Sequence, residues 1–251
     1  CRNFSKEKIE ERVKSVSDTL KLSSFLNLPA RKLTADQKQL ISLGRGLVRE
    51  DVAGVLMDEP LTVIDPDLKF RLRRNLKEIN EQYKTTLVYV THDQNEAMTF
   101  ADNIIVMDQG EIVQVGLPKD LFEKPRTTFV GYFIGSPAMN LFNSQILSDN
   151  SLKFNNDTIK TRTDLSKIKN KNVKLGIRSE FIKIATDQKE NVVSVKVTRV
   201  EDLGNYKLIT AKIGDFTIKS KVTRETEIPS QDVKLHIPAE KCCVYENNKL
   251  I

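Results

Sequence analysis

The run Gly54-Val55-Leu56-Met57-Asp58-Glu59-Pro60 constrains this chain more than any other stretch. Apolar and small residues rich in β-formers suit a strand buried on both faces of a parallel sheet, and the two carboxylates then fall at its carboxyl end. In open α/β sheets that edge is where ligands bind, so Asp58 and Glu59 stand where a metal-nucleotide would lie. There Asp58 would hold Mg²⁺ through water, and Glu59 would orient or deprotonate an attacking water. An acidic helix start after a strand would give the same letters with no ligand. The order of the surrounding signals has to decide.

Upstream, Leu33-Thr34-Ala35-Asp36-Gln37 puts Thr34 and Gln37 at capping-box spacing before Leu40, Ile41, Leu43, Leu47 and Val48. That spacing predicts a helix from near Ala35, whose free amides form a natural phosphate site. Downstream, Asp65-Pro66 gives an N-cap followed by proline at the first helical position. The helix it opens carries an apolar stripe of Leu68, Leu72, Leu76, Ile79 and Tyr83, which is core packing. Thr86 to Thr91 reads as the next buried strand, with His92 at its carboxyl end on the same sheet edge as Glu59. A lone histidine is more often structural; that shared edge makes this one a site candidate.

This order resembles the ATPase subunit of ABC transporters. Leu33 to Gln37 is similar to a degraded signature motif, Val55 to Glu59 to a Walker B strand, Thr62 to Asp65 to a D-loop, and His92 to the switch histidine. Tyr89-Val90-Thr91-His92-Asp93-Gln94-Asn95-Glu96-Ala97, Gln114-Val115-Gly116 and Phe133-Ile134-Gly135-Ser136-Pro137 look like the importer ATPases for sugars and glycerol phosphate. Leu175-Gly176-Ile177-Arg178-Ser179-Glu180 resembles the Gly-Ile-Arg-Pro-Glu segment of their OB-like C-terminal domain, with Ser179 in place of proline.

The resemblance implies ATP and Mg²⁺ as cofactors. It makes Glu59 and His92 catalytic, gives Asp58 to the metal, and has Leu33, Thr34, Ala35, Asp36, Gln37 and Asp65 face nucleotide, in part that of a second subunit. The usual Leu-Ser-Gly-Gly-Gln keeps its leucine, has Thr34 for serine and loses both glycines to Ala35 and Asp36. Side chains then stand where bare backbone would approach phosphate, and the Asp36 carboxylate opposes an anion. A weakened contact to the partner's nucleotide follows, and a heterodimer of unequal ATPase subunits is favoured over a homodimer.

Composition agrees with two modest domains. The polar N-terminus shows Ile9, Val13, Val16 and Leu20 on one helical face with Ser5 as N-cap. Leu22, Phe25, Leu26 and Leu28 continue as a second short helix to Pro29. After the His92 strand come a short helix near Glu96, two strands (103–107 and 111–115) joined by a turn at Asp108-Gln109-Gly110, and short helices near 117–123 and 127–133. Beyond Ser136-Pro137, short alternating segments separated by Asn, Asp, Gly and Lys take over, which argues for a small β-barrel or sandwich. The expected fold is α/β: residues 1–136 a partial ABC-type nucleotide-binding domain with a helical subdomain remnant and a Walker B sheet, and 137–251 an OB-like barrel for dimerisation or regulation.

No run reaches the roughly 18 apolar residues of a membrane span. The net charge of +6 is spread through mixed Lys and Glu, which gives nucleic acid little support. Three cysteines, Cys1 and the adjacent Cys242-Cys243, make no metal spacing and fit a reducing cytosol. With the resemblance, the expected place is the cytoplasmic face of the membrane. The expected partners are permease subunits and, indirectly, an extracytoplasmic substrate-binding protein. None of the ten glycines is followed by lysine, so the Gly-Lys-Ser/Thr phosphate loop is absent from these residues. With Cys1 opening a helix-like stretch, the chain reads as a fragment, inactive alone. The rival is a non-catalytic interaction subunit that uses its β-domain to bind a regulator.

Overall fold

The computed structural model describes residues 4–49, 52–62, 64–83, 86–229 and 232–251. The chain divides into two compact units, Cys1–Ala101 and Asp102–Ile251.

In the first unit, α1 (Lys6–Leu20) starts at Ser5, whose hydroxyl accepts from the Lys8 amide at 3.3 Å, and ends at Lys21, which turns left-handed with φ 55°. Ile9 and Val13, expected on its packed face, are exposed; Val16 and Leu20 are buried. Residues 22–28, expected as a second helix, form successive turns instead. The Phe25 amide donates to the Leu22 carbonyl at 3.0 Å and that of Leu28 to Phe25 at 3.1 Å. So short a stretch before Pro29 cannot repay helix nucleation, and turns already bury Leu22 and Phe25.

The helix expected from Ala35 is α2 (Ala35–Leu47), with the full capping box. The Thr34 hydroxyl accepts from the Gln37 amide at 3.4 Å, and Gln37 Oε1 accepts from the Thr34 amide at 3.1 Å. β1 (Gly54–Asp58) pairs in parallel with β2 (Thr86–Val90) through α3 (Pro66–Tyr83), in a register from Gly54↔Thr86 to Asp58↔Val90. Leu40, Leu43 and Leu47 of α2, Met57 of β1, and Leu72 and Leu76 of α3 share one core. Leu68 is partly buried against it, and the side chains of Ile79 and Tyr83 lie outside the described residues. β1 is not buried on both faces as expected: Leu56 is 81 % exposed, and Val88 and Val90 of β2 are also exposed. Alternate residues of a strand point to opposite faces, and the core packs against the face carrying Met57 only.

The second unit opens with a hairpin of β3 (Ile104–Asp108) and β4 (Glu111–Gly116), turning at Gln109 and Gly110 with φ 50° and 84°. Two positive φ values in a two-residue loop suit the twist of a hairpin. Two short helices follow, α5 (Pro118–Glu123) and α6 (Thr128–Phe133). The remainder is antiparallel. β5 (Asn140–Ser148), β6 (Ser151–Phe154), β7 (Asp157–Lys160), β8 (Asn172–Ile177), β14 (Cys243–Glu246) and β15 (Lys249–Leu250) form one sheet in the order β15-β14-β8-β5-β6-β7. β9 (Lys183–Ile184), β10 (Val192–Asp202), β11 (Tyr206–Ile213), β12 (Phe216–Thr223) and β13 (Asp232–His236) form the other, β12-β11-β10-β13-β9. Inward residues of both, among them Phe142, Phe154, Leu175, Val195, Ile209 and Leu235, close a single core. This is the barrel-like β-domain that the alternating segments predicted.

Arg178, just past β8, fastens α5 and α6 to these sheets. It is 1 % exposed; Nε donates to the Phe122 carbonyl at 2.9 Å, and Nη1 to the carbonyls of Gly131, at 2.8 Å, and Ile134. Its guanidinium lies 4.5 Å from the centre of the Phe122 ring. Burial pulls its pKa down from the usual arginine value, opposed by the charge of Glu180. Gly135 has φ 100°, and a Cβ there would sit 2.9 Å from Nη1, so this turn requires glycine.

Candidate functional site

The candidate site lies at the carboxyl ends of β1 and β2. Beyond the last ladder pair, the Glu59 amide donates to the Val90 carbonyl at 2.9 Å, which carries the parallel pairing one step further. Glu59 then turns left-handed, with φ 46°, a conformation uncommon outside glycine. That turn aims its carboxylate across to the other strand. Oε1 accepts from the His92 amide at 2.9 Å and lies 2.5 Å from His92 Nδ1, while Oε2 accepts from the Thr62 hydroxyl at 2.8 Å.

Partial burial alone would raise the Glu59 carboxyl, but the bonds from His92 and Thr62 outweigh it and hold it below the ordinary carboxylate range. The same bond and the Glu59 charge raise the His92 imidazole. The pair is therefore biased toward carboxylate and imidazolium, with Nδ1–H donating. The His92 side chain is 75 % exposed, so Nε2 faces solvent.

Asp58, Glu59 and His92 thus come together at one edge, Asp58 exposed at the end of β1. Among the described residues no group of three His, Cys, Asp or Glu side chains could hold a metal ion by itself. A single carboxylate suits Mg²⁺ only as an ion that arrives with phosphates and keeps its waters. A cavity of about 140 Å³ runs beside β1, lined by Gln39, Ser42, Leu56 and Asp58, and is smaller than ligand pockets usually are.

Leu33 to Gln37 form the start of α2. Leu33 is buried in the core, whereas Thr34, Asp36 and Gln37 are bound to one another: the Thr34 hydroxyl donates to the Asp36 carboxylate in a short hydrogen bond. That bond holds the Asp36 carboxyl below its usual value. Asp65 serves as the start of α3, its Oδ1 accepting from the Leu68 amide at 3.4 Å.

Sequence reasoning missed Glu96, which it placed only on a helix. In α4 (Gln94–Phe100) this carboxylate is 3 % exposed and accepts from Tyr89 Oη and Thr91 Oγ1, each at 2.9 Å, with Lys69 Nζ at 3.8 Å. A glutamate in the first turn of a helix ordinarily faces water. The signal that could have found it is the pair of hydroxyls two residues apart, Tyr89 in β2 and Thr91 just past its end.

The MalK OB fold domain family matches residues 135–182. The trehalose/maltose import ATP-binding protein MalK of Thermococcus litoralis is 35 % identical over 90 % of this chain and 64 % of its own length. The sn-glycerol-3-phosphate import ATP-binding protein UgpC of Pectobacterium atrosepticum is 34 % identical over 98 % of this chain and 69 % of its own. The oligosaccharides import ATP-binding protein MsmX of Bacillus subtilis is 34 % identical over 92 % and 66 %. The chain therefore spans about two thirds of the length of these relatives. At these identities and coverages the chain belongs to the family of ABC-transporter import ATP-binding proteins.

Proposed function

We propose that this chain is part of the ATP-hydrolysing subunit of a membrane ABC importer, coupling ATP binding and hydrolysis to uptake of a sugar, polyol or glycerol phosphate. The observation that carries the reading is the Glu59–His92 pair across the carboxyl ends of two parallel strands. Residues 1–136 are assigned to the nucleotide-binding domain and 137–251 to the OB-like domain. No helix of the described residues is long and apolar enough to cross a membrane. In this reading the subunit works on permease partners at the cytoplasmic face, as the import ATP-binding relatives suggest.

In this reading His92 donates from Nδ1 to Glu59 and presents Nε2–H to the terminal phosphate. Glu59, while held by His92 and Thr62, orients the attacking water; to take its proton it must first loosen one of those bonds. Asp58 would hold Mg²⁺ delivered with the nucleotide, and the ion would neutralise phosphate charge. Residues 1–251 contain no Gly-Lys pair to cradle phosphates, so by themselves they neither bind ATP tightly nor turn it over.

The α2 start supports a second element, an unequal pair of composite sites in a heterodimer. Asp36 keeps its charge and occupies the Thr34 hydroxyl, so the face offered to a partner's nucleotide is anionic and already bonded. The test is Mg-ATP hydrolysis by the complete gene product, alone and with a second ATPase subunit. Activity that needs the partner and is lost in Glu59→Gln is the expected result. No activity in either setting would replace this reading with a non-catalytic regulatory one.

A further inference from the structure

We propose that Glu96 is a positioning residue for His92: its buried carboxylate locks the Thr91–Asp93 turn to α4 and α3 and so sets where His92 meets Glu59. The proposal rests on the reading of Glu59 and His92 given above. A buried carboxylate persists only where hydrogen bonds and a cation offset its lost hydration, and Glu96 has both in two hydroxyls and Lys69.

The bonds form a ring around His92. Thr91 Oγ1 donates to Glu96 and accepts from the Asp93 amide at 3.0 Å. Asp93 Oδ1 accepts from the amides of Asn95, at 2.8 Å, and Glu96, at 3.3 Å. His92 stands at the open point of this ring, its imidazole mostly in solvent and held at Nδ1 by Glu59. Where it meets Glu59 therefore depends on the course of the backbone through residues 91–93, which the ring fixes.

Helix capping does not account for the arrangement. Asp93 already caps α4, and a glutamate in the first turn favours the helix dipole equally well when exposed. Burial beneath the turn, against Tyr89, is the extra feature. Burial and the Glu96 charge both push the Tyr89 phenol upward, so it stays a donor. Lys69 lies in the opening turns of α3, one turn after Asp65, so the segment that follows Asp65 and the His92 turn share one carboxylate.

The test is ¹⁵N NMR of the 251-residue chain, whose two histidines make His236 the internal control. Glu96→Ala should move the His92 Nδ1 signal toward that of Glu59→Gln and speed exchange of the His92 amide by about tenfold or more. Thr91→Val, close in shape and suited to a strand end, should do the same without emptying the core. Glu96→Gln, whose amide oxygen can still accept from both hydroxyls, should restore the wild-type signal. Should Glu96→Ala fail to fold, Thr91→Val decides. A wild-type Nδ1 signal and wild-type exchange in folded Glu96→Ala or in Thr91→Val overturn the proposal. If the spectra change as expected while Glu59→Gln leaves ATPase activity of the complete gene product intact, the positioning role stands and the catalytic reading falls.

Discussion

Replacing Arg178 by lysine keeps a positive charge but removes the planar fork that serves three carbonyls at once. A lysine ammonium at that depth can satisfy one of Phe122, Gly131 and Ile134 well, leaving two without a charged donor. Hydrogen bonds to charged groups are worth about 1.5–3 kcal/mol each, so two lost bonds give a gross cost of about 3–6 kcal/mol. Against that stands relief of Nη2, a buried donor with no partner among the described residues, worth about 1–3 kcal/mol. The net expectation is about 2.5 kcal/mol, or roughly a hundredfold in the opening of α5 and α6. Amide hydrogen exchange read by mass spectrometry measures it, because the amides of Leu121, Gly131, Ile134 and Met139 all bond within or onto this segment. In Arg178→Lys these should exchange about a hundredfold faster, while those of β10 and β13 keep wild-type rates. Exchange within about threefold of wild type would refute the claim that the arginine fastens this segment.

Gly176→Ala should destabilise the β unit by about 1–3 kcal/mol and lower its melting temperature by several degrees, because the new methyl would lie 2.7 Å from Tyr245 Cε2 and 2.8 Å from Met139 Sδ, both buried. Leu76→Ala empties a fully buried site beneath β1 and should cost the first unit about 2–5 kcal/mol, seen as a lower urea midpoint. Glu59→Gln should return the His92 titration, followed by proton NMR, toward the ordinary 6.5. The sign is fixed by both partners. The lowered Glu59 contributes above pH 4.5 and is lost as pH falls through its folded value, and the raised His92 contributes below 6.5 and is lost as pH rises through its own. The pair is therefore complete between about 4.5 and 6.5 and fades on either side; an unchanged His92 midpoint in Glu59→Gln would show that the two are not coupled.

Much of the site was legible in the chain because its determinants are local. A capping box spans four residues, and Thr34 and Gln37 form theirs wherever the helix lies. Asp58, Glu59 and His92 follow apolar runs whose ends become the ends of parallel strands, and the parallel register Asp58↔Val90 then brings Glu59 and His92 to one edge. The same holds for the β-domain, whose period-two alternation needs only the next few residues to be seen.

Tertiary structure decided what depends on distant partners. An apolar run does not say how many of its faces will be covered, so Leu56 looked as buried as Met57 until only one side found a core. Leu22 to Leu28 carried helix-like letters, but a left-handed Lys21 and Pro29 left room only for turns. Arg178 and Glu96 are charged residues whose burial no local pattern of the sequence shows. Each is buried because hydrogen-bonding groups from elsewhere in the chain converge on it, three carbonyls on one and two hydroxyls with a lysine on the other. Local bonds are written in the order of residues, whereas the cost of burying a charge is met only by groups that folding brings together.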